Sequence, residues 1–231
     1  MLLFNNKQLT LYVCLFKFLT YYFANVDQSI KYMNQQVNKS LAIVILAAGA
    51  ATRFGSAKQL AIYKSKTLLQ QKIDICCEFN EFDTYVVLGA AYQDIIKSTE
   101  FKTSKIIYNT AWKSGMASSI IIATQKLAKH YDSIMFLAAD QVLIEHFQLT
   151  ELIQSWQNQP TKLITAKFDN EITIPSIFPK EYYKDLLGLE GDKGGKKVLI
   201  THKENLIIIE MPEAKFDIDR PEDLSNLSSN H

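Results

Sequence analysis

Arg53 and Lys58 place two positive charges within six residues, directly after a run of small side chains, Ala47-Ala48-Gly49-Ala50-Ala51. Small residues let a ligand approach the backbone closely. Successive N–H groups in such a turn form an anion-binding concavity. Arg offers a planar fork matched to phosphate oxygens, and Lys a mobile point charge. Together these features read as a polyphosphate site. The two common phosphate loops do not fit, because Gly49 is followed by Gly55-Ser56 and the G-x-G-x-x-G spacing fails. Further along, Asp140 stands just past the apolar run Ser133 to Ala138. An acidic residue beyond the C-terminal end of a central strand sits where open α/β sheets bind ligands. Mg²⁺ is usually held by one or two carboxylates plus substrate phosphates, which makes Asp140 the first candidate metal ligand. No Ser/His/Asp or Cys/His arrangement points to a covalent intermediate, and His130, His146 and His202 read as surface residues.

These side chains need a scaffold. Leu41 to Leu46 is an apolar, β-branched run suited to a strand buried on both faces. Leu68, Leu69, Ile73, Cys76 and Phe79 recur at helical spacing, with Thr67 as N-cap. Thr84 to Leu88, ended by Gly89, predicts a second strand, Tyr92 to Thr99 a helix and Lys105 to Tyr108 a third strand. The order β-α-β-α-β argues for a doubly wound sheet with right-handed crossovers. Beyond it, helices are expected from Gly115 to Ala128, Leu149 to Trp156, Lys180 to Leu187 and Lys196 to Ile200. Strands are expected at Ser133 to Ala138, Lys162 to Phe168 and Leu206 to Ile209.

Composition narrows the class. The chain is 48% hydrophobic and 21% charged with a formal net charge of +1, so any anion site is local rather than the product of an overall field. Three cysteines, with Cys76 and Cys77 adjacent, suit packing in a reducing, cytoplasmic setting and give no zinc spacing. Residues 1–40 differ from the rest and read as an N-terminal extension outside the fold. Within them, Leu9 to Ala24 is too short and interrupted by Lys17 for a convincing membrane span, although an anchor is the alternative. Met33 is the expected native start. Residues 41–227 then form one domain, and 228–231 a frayed tail.

The segment from Leu46 to Leu60 resembles the signature L-A-[AG]-G-x-[SA]-x-R-[MF]-G-x-x-K-x-L of nucleotidyltransferases related to the molybdenum cofactor enzymes, a MobA-like, cytidylyltransferase-like family. Five later segments also resemble that family, in the same order. Asn109 to Ile120 is similar to N-P-x-[WY]-x-x-G-[ML]-x-x-S-[LI], with Thr110 in place of Pro. Asp140-Gln141 is similar to D-Q-P, with Val142 in place of Pro, and Ile172 to Pro179 to G-x-P-x-[LI]-F. Leu189 to Lys196 is similar to L-x-G-D-x-G-A-[RK]. Phe216 to Leu224 resembles the ending D-I-D-T-P-E-D-L, with Arg220 in place of Thr.

The resemblance implies a Rossmann-like α/β/α fold with a mostly parallel sheet, and transfer of a nucleotidyl group with release of pyrophosphate. It assigns Arg53, Lys58 and Asp140 to catalysis, and Asp140 and Asp219 to Mg²⁺, with Asp217 the alternative for the second. The nucleotide would meet Leu46, Ala47, Ala48, Gly49, Arg53, Lys58, Gly89, Gly115 and Ser119. The acceptor would meet Pro175, Phe178, Gly191, Asp192, Lys193 and Gly194. The expected substrates are CTP and molybdenum-bound molybdopterin, with a molybdoenzyme or its chaperone as a transient partner. Ala48 matches the cytidylyl branch, where the guanylyl branch resembles L-A-G-G, and its methyl narrows the space beside the base. A sugar or alditol phosphate as acceptor, and a non-catalytic nucleotide-binding chaperone, are the alternatives.

Overall fold

The computed structural model describes residues 39–229. The expected extension, the Met33 start, the possible anchor and the end of the tail fall wholly or mostly outside these residues. A seven-stranded sheet in the order β5-β4-β1-β6-β8-β7-β9 carries the fold. Its strands are β1 (Leu41–Ala47), β4 (Asp83–Leu88), β5 (Lys105–Tyr108), β6 (Ser133–Ala138), β7 (Leu163–Phe168), β8 (Glu171–Pro179) and β9 (Leu206–Glu210). A separate small hairpin pairs β2 (Ile62–Tyr63) with β3 (Lys66–Thr67). β1 runs parallel to both β4 and β6, and only β8 runs against its neighbours. The sheet is mostly parallel, as expected.

β1 is buried on both faces because its side chains feed two cores. Ile43 and Ile45 pack with α1 (Leu68–Cys77) and α4 (His146–Asn158), through Leu69, Ile73, Ile153 and Trp156. Ala42 and Val44 pack on the other face with α3 (Met116–Leu127) and α5 (Tyr183–Leu187), through Ile120, Ala123 and Leu186. Removing each such aliphatic side chain from water is worth about 1.5–3 kcal/mol, so the three layers hold β1 from both sides. α2 (Tyr92–Ser98), α6 (Lys196–Thr201) and α7 (Pro221–Ser229) complete the helices. Thr67 caps α1 by accepting from the Gln70 N–H at 3.1 Å, and Cys76 is a buried core residue. Among the described residues no helix is long and apolar enough to cross a membrane.

β8 corrects the sequence reading, which gives Ile172 to Pro179 to a substrate-facing segment rather than to the sheet. It lies between β6 and β7, with Ile134 opposite Phe178 and Ile164 opposite Ile177. Pro175 disguises it, since Pro cannot donate to a ladder. The strand tolerates Pro175 because its register on β7 jumps from Thr165–Ser176 to Ala166–Thr173, leaving Ile174 and Pro175 in a bulge. Pairing with β6 also stops at Ser176.

One charge lies deep in this fold. Lys72 of α1 is 2% exposed, and its ammonium donates to the carbonyls of Gln141 at 2.9 Å and Ile144 at 2.6 Å. Burial lowers its pKa from 10.5 to about 8, and the fields of Cys76, Asp140 and Glu145 recover only part of the loss. In the unfolded chain this lysine keeps its proton up to the ordinary value. Between the two values the unfolded state therefore binds more protons, and stability rises with pH. Relative to a Lys72→Met variant, the parent should gain about 3 kcal/mol of unfolding free energy as pH rises through that window. Urea denaturation of both proteins at pH 7.5 and 10 measures it, and a constant difference would contradict the buried charge.

Candidate active site

The C-terminal ends of β1 and β6 open onto a cavity of about 420 Å³. That is the size of a small-ligand pocket at a switch point of an α/β sheet. Its floor is the turn Ala47 to Ala51, and Ala51 takes a left-handed φ of 50° to make the bend. Gln59 holds that turn from behind. Its Nε2 donates to the carbonyls of Ala47 at 2.8 Å and Gly49 at 2.9 Å. Gln59 stands in a short 3-10 turn, Lys58–Leu60, and the residue beside it lines the cavity as well.

That residue is Lys58, whose side chain is 15% exposed. Its Nζ lies 2.6 Å from Asp140 Oδ2 and 3.2 Å from Asp219 Oδ1. Burial alone lowers the Lys58 pKa, but Asp140 and then Asp219 outweigh it and raise the pKa above the ordinary lysine value. Asp140 sits on the turn after β6. Asp219 arrives from far along the chain because the Ile218 N–H donates to the Asp140 carbonyl at 3.2 Å. Asp223 completes that arrival by accepting from the N–H groups of Asp219 at 2.9 Å and Arg220 at 2.7 Å. Arg53 Nη1 pairs with Asp219 Oδ2 at 2.8 Å on the rim, where its side chain is 70% exposed. Asp217 keeps contact with solvent, yet the protein crowding its carboxyl raises its pKa to about 6, and negative Asp140 pushes the same way.

The two carboxylates converge on one ammonium nitrogen, and a small cation fits the same donor pair. Among the described residues no group of three or more His, Cys, Asp or Glu is arranged to hold a metal. A Mg²⁺ between Asp140 and Asp219 would draw its remaining ligands from phosphate and water, as this ion commonly does.

The other wall is the start of α3. Gly115 precedes it with φ 92°, and a Cβ there would stand 2.5 Å from both Asp192 Oδ1 and the Gly191 carbonyl. Gly115 is therefore what allows the Leu189 to Lys196 segment to close on this helix, where the Ala117 N–H donates to the Gly191 carbonyl at 3.0 Å. Buried Asn109 pins the same turn through Ser118 Oγ at 2.8 Å, Ser119 Oγ at 3.0 Å and the Ala111 N–H at 2.9 Å.

Leu46, Ala47, Ala48, Gly49, Lys58, Gly115, Ser119, Asp140, Asp192 and Asp219 line this one cavity. Gly89 does not line it. Its missing side chain admits Trp112 instead, whose Cβ would be 2.5 Å from a Gly89 Cβ. Phe178, expected against the acceptor, is in the core at 1% exposure. It packs on Phe136 with ring centroids 5.9 Å apart, because β8 turns it away from the site. Pro175 is buried in the same strand, and its neighbour Ile174 reaches the cavity instead. Gly191, Lys193 and Gly194 stand behind Asp192, with Gly194 packed beside the Met116 sulfur. The sequence reading missed Gln59, Trp112, Met116 and Ile174 as lining residues. Gln59 was signalled only by its place next to Lys58 in the chain.

A mostly parallel sheet thus presents this turn, two cations and two carboxylates at its C-terminal edge, where open α/β sheets bind ligands. Residues 43–206 match the model of the MobA-like NTP transferase domain, and the chain belongs to that family. Over 165 residues it is 28% identical to the bifunctional protein GlmU of Thermodesulfovibrio yellowstonii, covering 65% of this chain and 36% of that protein. Over 128 residues it is 27% identical to nicotine blue oxidoreductase of Paenarthrobacter nicotinovorans, covering 55% of this chain and 61% of that protein. The chain thus spans about a third and about three fifths of the lengths of these relatives. Its fold is similar to that of Rv0371c from Mycobacterium tuberculosis H37Rv in complex with manganese. The TM-score is 0.70 at 19% identity, over 84% of this chain and 100% of that one.

Gly115 gives this geometry a direct check. Gly115→Ala must adopt a strained backbone, at about 1–3 kcal/mol, and must also displace the Gly191-Asp192 backbone. The variant should fold with a lowered melting temperature and lose the thermal shift that an added nucleoside triphosphate gives the parent. A shift equal to the parent's would separate the Asp192 segment from the site.

Proposed function

We propose that the chain is a Mg²⁺-dependent cytidylyltransferase that transfers CMP from CTP to molybdenum-bound molybdopterin and releases pyrophosphate. The observation that carries the proposal is the convergence of Asp140 and Asp219 on Lys58 Nζ, at 2.6 and 3.2 Å, beside the Ala47 to Ala51 turn. A phosphate oxygen of the acceptor bonds to the α-phosphorus of CTP as the bond to the bridging oxygen breaks. Pyrophosphate leaves with that electron pair. Such a reaction needs alignment and charge neutralisation more than covalent chemistry. The N–H groups of the turn and the Arg53 and Lys58 cations bind and orient the triphosphate. Asp140 and Asp219 would hold the metal, which when bound would neutralise charge developing on the transferred phosphate. With the carboxylates so engaged, the Lys58 ammonium turns to phosphate oxygens. Support for a divalent cation comes from the fold-mate Rv0371c, which binds manganese.

Two features favour this substrate pair. Ala48 lines the cavity, and its methyl leaves less room for a two-ring base. A methylene-sized difference is worth only about 1–3 kcal/mol, so backbone hydrogen bonds to the cytosine edge must supply the rest of the selectivity. The Gly191-Asp192-Lys193-Gly194 segment, which supports a molybdopterin acceptor, brings Asp192 into the cavity opposite the carboxylates. In this proposal the catalytic domain is residues 41–227, it works in the cytoplasm, and a molybdoenzyme or its chaperone receives the product.

The test is product formation from CTP, GTP and ATP at equal concentration with Mg²⁺ and molybdenum-loaded molybdopterin. CTP should be preferred by at least about tenfold. A preference for GTP would move the protein to guanylyl transfer. No product from any nucleotide with this acceptor, but turnover with a sugar phosphate, would overturn the acceptor and leave the chemistry.

Two variants separate the roles. Asp140→Asn should abolish turnover yet melt close to the parent, since the side chain sits at a strand end outside the core. Lys58→Ala should chiefly raise the CTP KM. Near-normal turnover in the first, or an unchanged CTP titration in the second, would refute the corresponding role.

A further inference from the structure

The buried ammonium of Lys72 has no use in the proposed chemistry, yet it lies directly behind it. The helix that carries it presents Leu68, Leu69, Ile73 and Cys76 to the protein interior, and Lys72 stands on that same stripe. Among the described residues no carboxylate forms an ion pair with it. Its partners are the carbonyls of Gln141 at 2.9 Å and Ile144 at 2.6 Å, both on the turn that begins at Asp140. A buried charge satisfied only by carbonyl dipoles is a poor way to gain stability, and an apolar side chain on that stripe serves a core better. What it does provide is constraint, because any shift of the turn strips the ammonium of its partners.

The turn has few other anchors, and they lead to the same place. Gln141 Nε2 donates to the carbonyls of Ile174 at 2.9 Å and Ala214 at 3.3 Å. The Asp140 carbonyl accepts from the N–H groups of Val142 at 3.0 Å and Ile218 at 3.2 Å. Lys72 therefore grips the turn from the core, while the Asp140 carbonyl holds the segment leading to Asp219 through the Ile218 N–H.

We infer that Lys72 is a positioning residue for the carboxylate pair, fixing Asp140 through the turn it grips at Gln141 and Ile144, and Asp219 through the Asp140–Ile218 hydrogen bond. This rests on the reading of the pair as the metal site of a nucleotidyltransferase. Groups that orient metal ligands from behind typically change metal affinity by roughly 10- to 100-fold when removed.

The test measures Mn²⁺ uptake in the presence of CTP by electron paramagnetic resonance, on the full chain. Lys72→Met should bind Mn²⁺ with CTP roughly 10- to 100-fold more weakly than the parent. Lys72→Gln restores an amide donor to one carbonyl and should recover part of that loss, and it also stands in if the Met variant fails to fold. Leu69→Ala truncates the same helix face without removing a hydrogen bond to the turn. It should lower the melting temperature while leaving Mn²⁺ affinity at the parent's value, so general loosening is distinguished from loss of position. If the parent takes up Mn²⁺ with CTP and the Lys72 variants match it, the positioning role is overturned. If the parent itself takes up none, the reading of the carboxylate pair fails first, and this inference falls with it.

Discussion

Everything around the cavity depends on two carboxylates being held close enough to share one cation. Asp140 and Asp219 are far apart in sequence, and like charges at this separation repel unless a positive charge stands between them. Lys58 Nζ supplies it, within 2.6 Å of one and 3.2 Å of the other. Each of the three comes from a different part of the fold. Lys58 follows β1 through a 3-10 turn, Asp140 follows β6, and Asp219 is carried by the C-terminal segment and held by Asp223. β1 and β6 are adjacent and parallel, with Leu46 opposite Ala138, so their ends bring the first two together without further device. The third is brought in by the Ile218 N–H to the Asp140 carbonyl.

The rest of the site is built by polar side chains that serve the backbone. Gln59 takes the carbonyls of Ala47 and Gly49, and Asn109 ties the strand end after β5 to the start of α3. Gln141 joins the turn after β6 to β8 and to the segment before Ala214. The Oε1 atoms of Gln59 and Gln141 are buried without a hydrogen-bond partner, but the N–H groups of all three buried amides are met by the groups they fix. The consequence is a preorganised cavity, with its donors and charges in place before a ligand arrives.

Much of this was legible in the chain, for identifiable reasons. β1 could be read because β-branched and aliphatic residues run without interruption, and the structure buries it on both faces. Thr67 could be read as an N-cap because a hydroxyl stands before a helical stripe, and Asp140 as a strand-end acid because six apolar or small residues precede it. What could not be read depended on contacts between distant segments. Pro175 hid β8, since nothing local reveals that a bulge of β8 against β7 absorbs the proline. Phe178 followed from that error, because its direction is set by the strand that was not recognised. Lys72 was detectable in principle as a lysine on an apolar stripe, but its two carbonyl partners belong to a turn well beyond it in the chain. Asp223 reads locally as an ordinary helix-start acid, and only the fold shows that it holds Asp219.

The central claim is that Asp140 and Asp219 form a single cation site facing the phosphates of a nucleotide held on the Ala47 to Ala51 turn. The most direct measurement is anomalous diffraction from crystals grown with CTP and Mn²⁺. The account predicts one anomalous peak within coordination distance of carboxylate oxygens from both Asp140 and Asp219, with Lys58 Nζ on the triphosphate. A peak bound by neither carboxylate, or a nucleotide whose phosphates lie away from Lys58, would contradict it.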